Sequence, residues 1–202
     1  MAQRADVPTK LTYAEFLEWC DEDTWAEWVD GEVALLTPAS DRHQDLARFL
    51  TVVISAFVER HDAGTLRPAP FQMKLGPELS GREPDLLFVV RDRERLLNET
   101  FLDGPADLVV EIISPESRLR DRGEKFAEYE MAGVREYWLI DPEQERADFF
   151  VLGNDDRYER QRPDDEGLYR STVLAGFWID VSWLWSEPLP PVIDTLQRLG
   201  LI

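Results

Sequence analysis

A single cysteine, Cys20, and two histidines, His43 and His61, are all the thiol and imidazole chemistry that 202 residues carry. One thiol excludes an intrachain disulfide, and Cys20 sits among Trp19, Asp21 and Glu22 with no histidine near it in sequence, so it reads as a packed thiol. Positive charge is also scarce. Lys and Arg total 22 against 41 Asp and Glu, a formal net charge of -19, which argues against a nonspecific nucleic-acid binder that lives on neutralising phosphates. No apolar run reaches membrane-spanning length, and the mixed, polar MAQRADVPTK start lacks the pattern of a cleavable signal. These absences set a cytoplasmic, membrane-free expectation. Repeats, low-complexity tracts and linkers are missing too, so a single domain over residues 1–202 is expected.

What is present is patterned. Thr12 with Glu15 three residues on forms a capping box opening a short helix to about Cys20, and Asp30-Gly31 between two apolar pieces marks a hairpin. From Ser40 to about His61 the apolar stripe Leu46, Phe49, Leu50, Val53, Ile54, Phe57, Val58 predicts a long helix. TLRPAPFQMKL, interrupted by two prolines, reads as an edge strand. PDLLFVV (Pro84 to Val90) and DLVVEIIS (Asp107 to Ser114) are the most apolar short runs, joined by a charged, helix-like insert around Arg91 to Asn98. A helix from Ser114-Pro115 to about Met131 with Phe126 and Tyr129 inward, the strand VREYWLI, and short antiparallel strands in ADFFVL, RYERQR and LYRSTVL follow. The order helix, strand, strand, strand, helix, strand predicts an α/β fold, a central mixed sheet flanked by helices. An N-terminal helix–hairpin extension and an apolar C-terminal segment, WLWSEPLPPVIDTLQRLGLI, complete it; that segment packs on the body or on a second copy, and a homodimer is expected.

Glu111 is the anomaly. It interrupts Leu108, Val109, Val110 and Ile112, Ile113, where a carboxylate is costly unless an arginine, water or a metal ion compensates it. If the two apolar strands pair antiparallel, Asp85 at the start of one lies beside Glu111 near the end of the other, and both could hold one divalent cation. On the residues alone, Asp85 reads equally as a cap or turn residue and Glu111 as half of a structural ion pair. Hard oxygen donors with water completing the shell suit Mg²⁺ (or Mn²⁺) better than Zn²⁺.

The succession EWVDGEV, SDRHQ, GREPDLLFV, GPADLVVEIISPES and DRGEKFAEYEMAGVREYWLIDP resembles the Uma2 family of restriction-endonuclease-like proteins, a branch of the PD-(D/E)XK nuclease superfamily, over about Thr12 to Val181. That resemblance implies a restriction-endonuclease-like core and Mg-dependent hydrolysis of DNA. It makes Asp85 and Glu111 the metal ligands and brings Glu27 of EWVDGE to the same site. The superfamily signature places a lysine two residues after the second acid, which here is Ile113; Lys125, in the family's D-R-x-x-K pattern, stands in for it. His43 reads as a core-edge histidine or, through the family's S-x-x-H, as lining the site. Gln72 is expected to face the same cleft, and Arg82, Arg118 and Arg122 to meet DNA at its rim. Two classes of function remain: a metal-dependent endonuclease, and a non-catalytic nuclease-fold protein acting as a binding module, which the negative charge and Ile113 favour. They differ in whether Asp85, Glu111 and Lys125 share one cleft.

Overall fold

The computed structural model describes residues 10–20, 24–35, 38–77, 79–114 and 118–202, with the backbone alone for Arg118 and Leu119. Helix α1 (Tyr13–Trp19) opens on the Thr12–Glu15 capping box, and strands β1 (Ala26–Val29) and β2 (Glu32–Leu35) form the expected hairpin. Asp30 and Gly31 take φ of 51° and 86° at its tip, the left-handed pair that a tight two-residue turn demands. Helix α2 (Asp41–His61) starts on the Ser40 side chain, which accepts the His43 N–H. Strands β3 (Gly64–Pro68), β4 (Gln72–Lys74), β5 (Gly81–Arg82) and β6 (Leu86–Val90) follow. Next come β7 (Phe101–Asp103) and β8 (Leu108–Ile112), then helices α3 (Arg118–Arg122) and α4 (Glu124–Ala132). The chain ends with β9 (Glu136–Asp141), β10 (Arg146–Leu152), β11 (Tyr158–Gln161), β12 (Leu168–Arg170), β13 (Trp178–Asp180) and α5 (Val192–Arg198).

Among the described residues the central sheet has six strands in the order β11-β10-β9-β8-β6-β3. It is mixed: β8 runs parallel to β9 and antiparallel to β6. Alternation along each strand separates two apolar clusters. Leu86, Phe88, Leu108, Val110, Trp138 and Ile140 pack against the α2 stripe, and Leu87, Val89, Val109, Ile113, Tyr137 and Leu139 pack on the opposite face with Tyr129 of α4. Both faces are covered, which is why these strands read as nearly continuous apolar runs.

Three expectations change. TLRPAPFQMKL is two strands: β3 forms the edge of the central sheet, while β4 joins a second sheet of order β2-β1-β5-β4-β7. Pro68 and Pro70 cannot donate to a continuing ladder, so the chain leaves one sheet there for the other. The expected long helix after Pro115 is broken into α3 and α4 at Gly123, whose φ of -115° and ψ of -81° are not helical. The C-terminal apolar segment packs largely on its own chain: Trp183 and Leu184 are buried in the cluster on α2, and Arg42 of α2 donates to the carbonyls of Leu184 and Ser186, while Ile193 stays exposed. That removes the segment as a reason for a dimer. Among the described residues no helix is long and apolar enough to cross a membrane.

Candidate active site

The antiparallel register Leu86↔Val110 sets Asp85, one residue earlier, against the end of β8 that carries Glu111. Asp85 is fixed there from two sides. Its Oδ2 accepts the Ile112 backbone N–H at 2.6 Å, and its Oδ1 lies 3.1 Å from His43 Nε2. His43, one turn into α2, thus touches the first acid; burial opposes its charge, but the Asp85 hydrogen bond and charge raise its pKa overall.

Glu111 points to the face of the sheet that α4 covers, where Lys125 and Tyr129 meet it. Lys125 Nζ stands 2.8 Å from Glu111 Oε1 and 2.9 Å from Glu27 Oε1, and Tyr129 OH donates to Glu111 Oε1 at 2.7 Å. Lys125 and Tyr129, four residues apart on one helix face, therefore serve one carboxylate. Asp121 of α3 comes within 3.6 Å of the same ammonium. The place a lysine would occupy on β8, two residues past Glu111, holds Ile113 in the apolar cluster, and the cation reaches the acid from the neighbouring helix instead.

Charge here is unbalanced toward the negative. Burial pushes Glu111 up to about 8 against the pull of Lys125, and burial raises Glu83 to about 7 against its hydrogen bond from Gln72. For Glu27 burial acts the same way, but Lys125 and Arg82 outweigh it and hold the carboxyl down at about 2. Burial also disfavours the Lys125 ammonium, yet Glu111, Glu27 and Asp121 surround it and keep it charged.

One cleft of about 430 Å³ is lined by Glu83, Asp85, Glu111, Asp121, Lys125 and His43, with Arg120 at its edge. Asp85, Glu111 and Lys125 thus share a cleft; Glu27, expected at the same site, is fully buried behind it and does not line it, meeting it only through its 2.9 Å pair with Lys125. Gln72 stands behind the cleft: its amide donates to Glu83 Oε2 at 2.7 Å and to the Ala26 carbonyl at 2.9 Å. Arg82, expected at the rim, is 0% exposed; it donates to Glu27 at 3.1 Å and holds Glu128 with two bonds of 2.7 and 2.8 Å. The buried Glu27 and the partly buried Glu128 draw it inward. Arg122 turns away as well, pairing with Asp148 at 2.9 Å and Asp141 at 3.5 Å. The Arg118 side chain lies outside the described residues. Sequence reasoning missed Glu83, Asp121 and Arg120 as cleft residues. Glu83 and Asp121 had a signal, since one sits two positions before Asp85 and the other four before Lys125.

The donor set suits a hard divalent ion, because Mg²⁺ is usually bound by one or two carboxylates with water filling the other positions. Among the described residues no group of three or more His, Cys, Asp and Glu is placed to hold a metal ion.

The Uma2 family profile, described as "Putative restriction endonuclease", matches residues 13–182. The chain belongs to the Uma2 family. A comparison with curated proteins finds no match. Among solved structures, the Uma2 chain is similar to a crystal structure titled as a putative nuclease belonging to DUF820 from Anabaena variabilis, with a TM-score of 0.69 and 17% identity over 87% of this chain and 97% of the other. At that identity the likeness shows the fold alone.

Proposed function

We propose that this Uma2 protein is an endonuclease that hydrolyses phosphodiester bonds in DNA with the help of Mg²⁺ (or Mn²⁺). The observation that carries the reading is the convergence of Asp85, Glu111 and Lys125 on one cleft, from two different strands and a helix. Asp85 and Glu111 would hold the ion, which when bound supplies Lewis acidity to a phosphoryl oxygen and a more acidic water. The remaining chemistry belongs to the chain. His43 and the Ile112 N–H hold the Asp85 carboxylate in orientation, and Tyr129 holds Glu111. Lys125, 3% exposed and unable to swing into solvent without leaving its carboxylates, presents a fixed positive charge to the negative charge that builds on the phosphate. Water oxygen forms the new P–O bond, the bond from phosphorus to a sugar oxygen breaks, and that oxygen leaves with a proton as a hydroxyl. Arg120, 30% exposed at the cleft edge, is placed to meet a flanking phosphate. Binding through so few cations, on a chain of net charge -19, should be weak and lost with added salt.

The competing reading is a non-catalytic binding module, favoured by the same net charge and by Ile113. One chain carries every group the hydrolytic reading uses, so it does not depend on a second copy. Calorimetric Mn²⁺ titration beside cleavage of plasmid and single-stranded DNA separates the two readings. Wild type should bind the ion and cut, and Glu111→Ala should lose both. A wild type that binds no divalent ion at millimolar concentration sinks the hydrolytic reading.

A further inference from the structure

The cleft has a second half that the chemistry above does not use. Beyond the acids, Trp25, Pro38, Ala47, Val52, Pro68 and Pro70 line it, with Gln44 and Thr51 among them. Trp25 is 44% exposed and Val52 40%, both large side chains left in contact with water on the rim of a recessed charged site. An exposed aromatic face beside carboxylates that are nearly sealed (Glu111 is 4% exposed) is a different surface from the scattered apolar residues of an ordinary exterior.

Depth matters as much as lining. A phosphate reaching Glu111 and Lys125 must descend into the cleft. In a duplex, stacking and pairing cover the base faces, so a duplex cannot lay a base against this wall. An unpaired strand can, and its bases carry free faces that proteins cover with aromatic side chains. The volume is within the range of about 300–1,000 Å³ over which pockets enclose single small ligands.

We infer that the cleft is built for unpaired DNA, a single strand, flap or frayed end, with one base seated against Trp25 and the Ala47–Val52 face of α2 while the adjoining phosphate lies at Asp85 and Glu111. The inference rests on the nuclease reading for the fate of that phosphate. Arg48, on the same face of α2 and 60% exposed with a 3.4 Å pair to Asp45, and Arg120, which lines the same cleft, supply cations for the neighbouring phosphates. The wall selects by base exposure, since an aromatic face accepts any base that is not already stacked.

The test is fluorescence anisotropy of a labelled short oligothymidylate and of a blunt duplex of equal length, with Ca²⁺ in place of Mg²⁺, for the wild type, Trp25→Ala, Trp25→Phe and Val52→Trp. Cleavage of both DNAs in Mg²⁺ and Mn²⁺ runs alongside. Wild type should prefer the single strand. Trp25→Ala should weaken that binding by about 5- to 100-fold, the loss of one stacked base, and Trp25→Phe should recover most of it. Val52→Trp fills the wall from the other side and should weaken single-strand binding with Trp25 intact. Equal affinity of wild type for strand and duplex, or an unchanged Trp25→Ala, overturns the base seat. Cleavage by wild type with the same strand-to-duplex ratio in Trp25→Ala removes the seat and leaves the nuclease reading standing. Trp25-dependent strand binding with no cleavage in either metal does the reverse.

Discussion

Replacing Lys125 with methionine, which keeps most of the stem and deletes the charge, probes the site most sharply. In the wild type one buried ammonium sits 2.8 Å from Glu111 and 2.9 Å from Glu27, with Asp121 at 3.6 Å. Breaking a buried pair by removing one partner costs about 3–5 kcal/mol, because a charge is left uncompensated. Two features pull the cost to the lower end. Glu27 keeps Arg82 at 3.1 Å, and Glu111, raised to about 8 by burial, already holds a proton at neutral pH and keeps its Tyr129 bond. A loss of about 3 kcal/mol in EDTA at neutral pH is therefore expected. For a chain of this size it lowers Tm by roughly 6–12 °C. The loss should grow above pH 8, where Glu111 ionises beside Lys125 in the wild type and the variant has no cation to compensate it, and shrink in millimolar Mg²⁺, since a cation supplies the missing compensation to the same carboxylates. Differential scanning calorimetry with and without Mg²⁺, at pH 6.5 and 8.5, reads all of this. Cation binding should survive while cleavage falls roughly 10²-fold or more. A variant that melts within about 1 kcal/mol of wild type in EDTA refutes the view that Lys125 neutralises the site.

Glu27 gives a pH signature of the opposite kind. Its folded pKa of about 2 lies below the ordinary 4.5, so its stabilisation, about 3 kcal/mol, is present above pH 4.5 and lost as pH falls toward 2; Glu27→Gln should flatten the acid limb of the stability curve measured by urea melts. Glu136 is a structural counterpart with no cation in its hydrogen-bonded set: it accepts from Trp138 Nε1, Tyr169 OH, Ser171 Oγ, both donors of Thr172 and the Val173 N–H, at 2.6 to 3.0 Å. Glu136→Ala strands those donors and should cost at least about 4 kcal/mol in denaturant titration, with Glu136→Gln intermediate.

Much of this arrangement is written in local pattern. The α2 stripe, the Thr12 and Ser40 caps, the Asp30-Gly31 turn and the two apolar strands follow from spacing and turn chemistry within a few residues, which is why they are legible without coordinates. The meeting of Asp85 and Glu111 is nearly as legible, since once β6 and β8 pair antiparallel the beginning of one must lie beside the end of the other. The fate of the charged side chains was not. Arg82 looks like a rim cation because arginine is mostly exposed, yet it is sealed between Glu27 and Glu128, partners 55 and 46 residues away. Trp25, which no local pattern singles out, is left exposed in the lining of the cleft. Periodicity fixes which face of a helix or strand a residue occupies, but a long side chain's partner is set by what other segments bring within a few ångströms, and burial then decides whether a charge must find one.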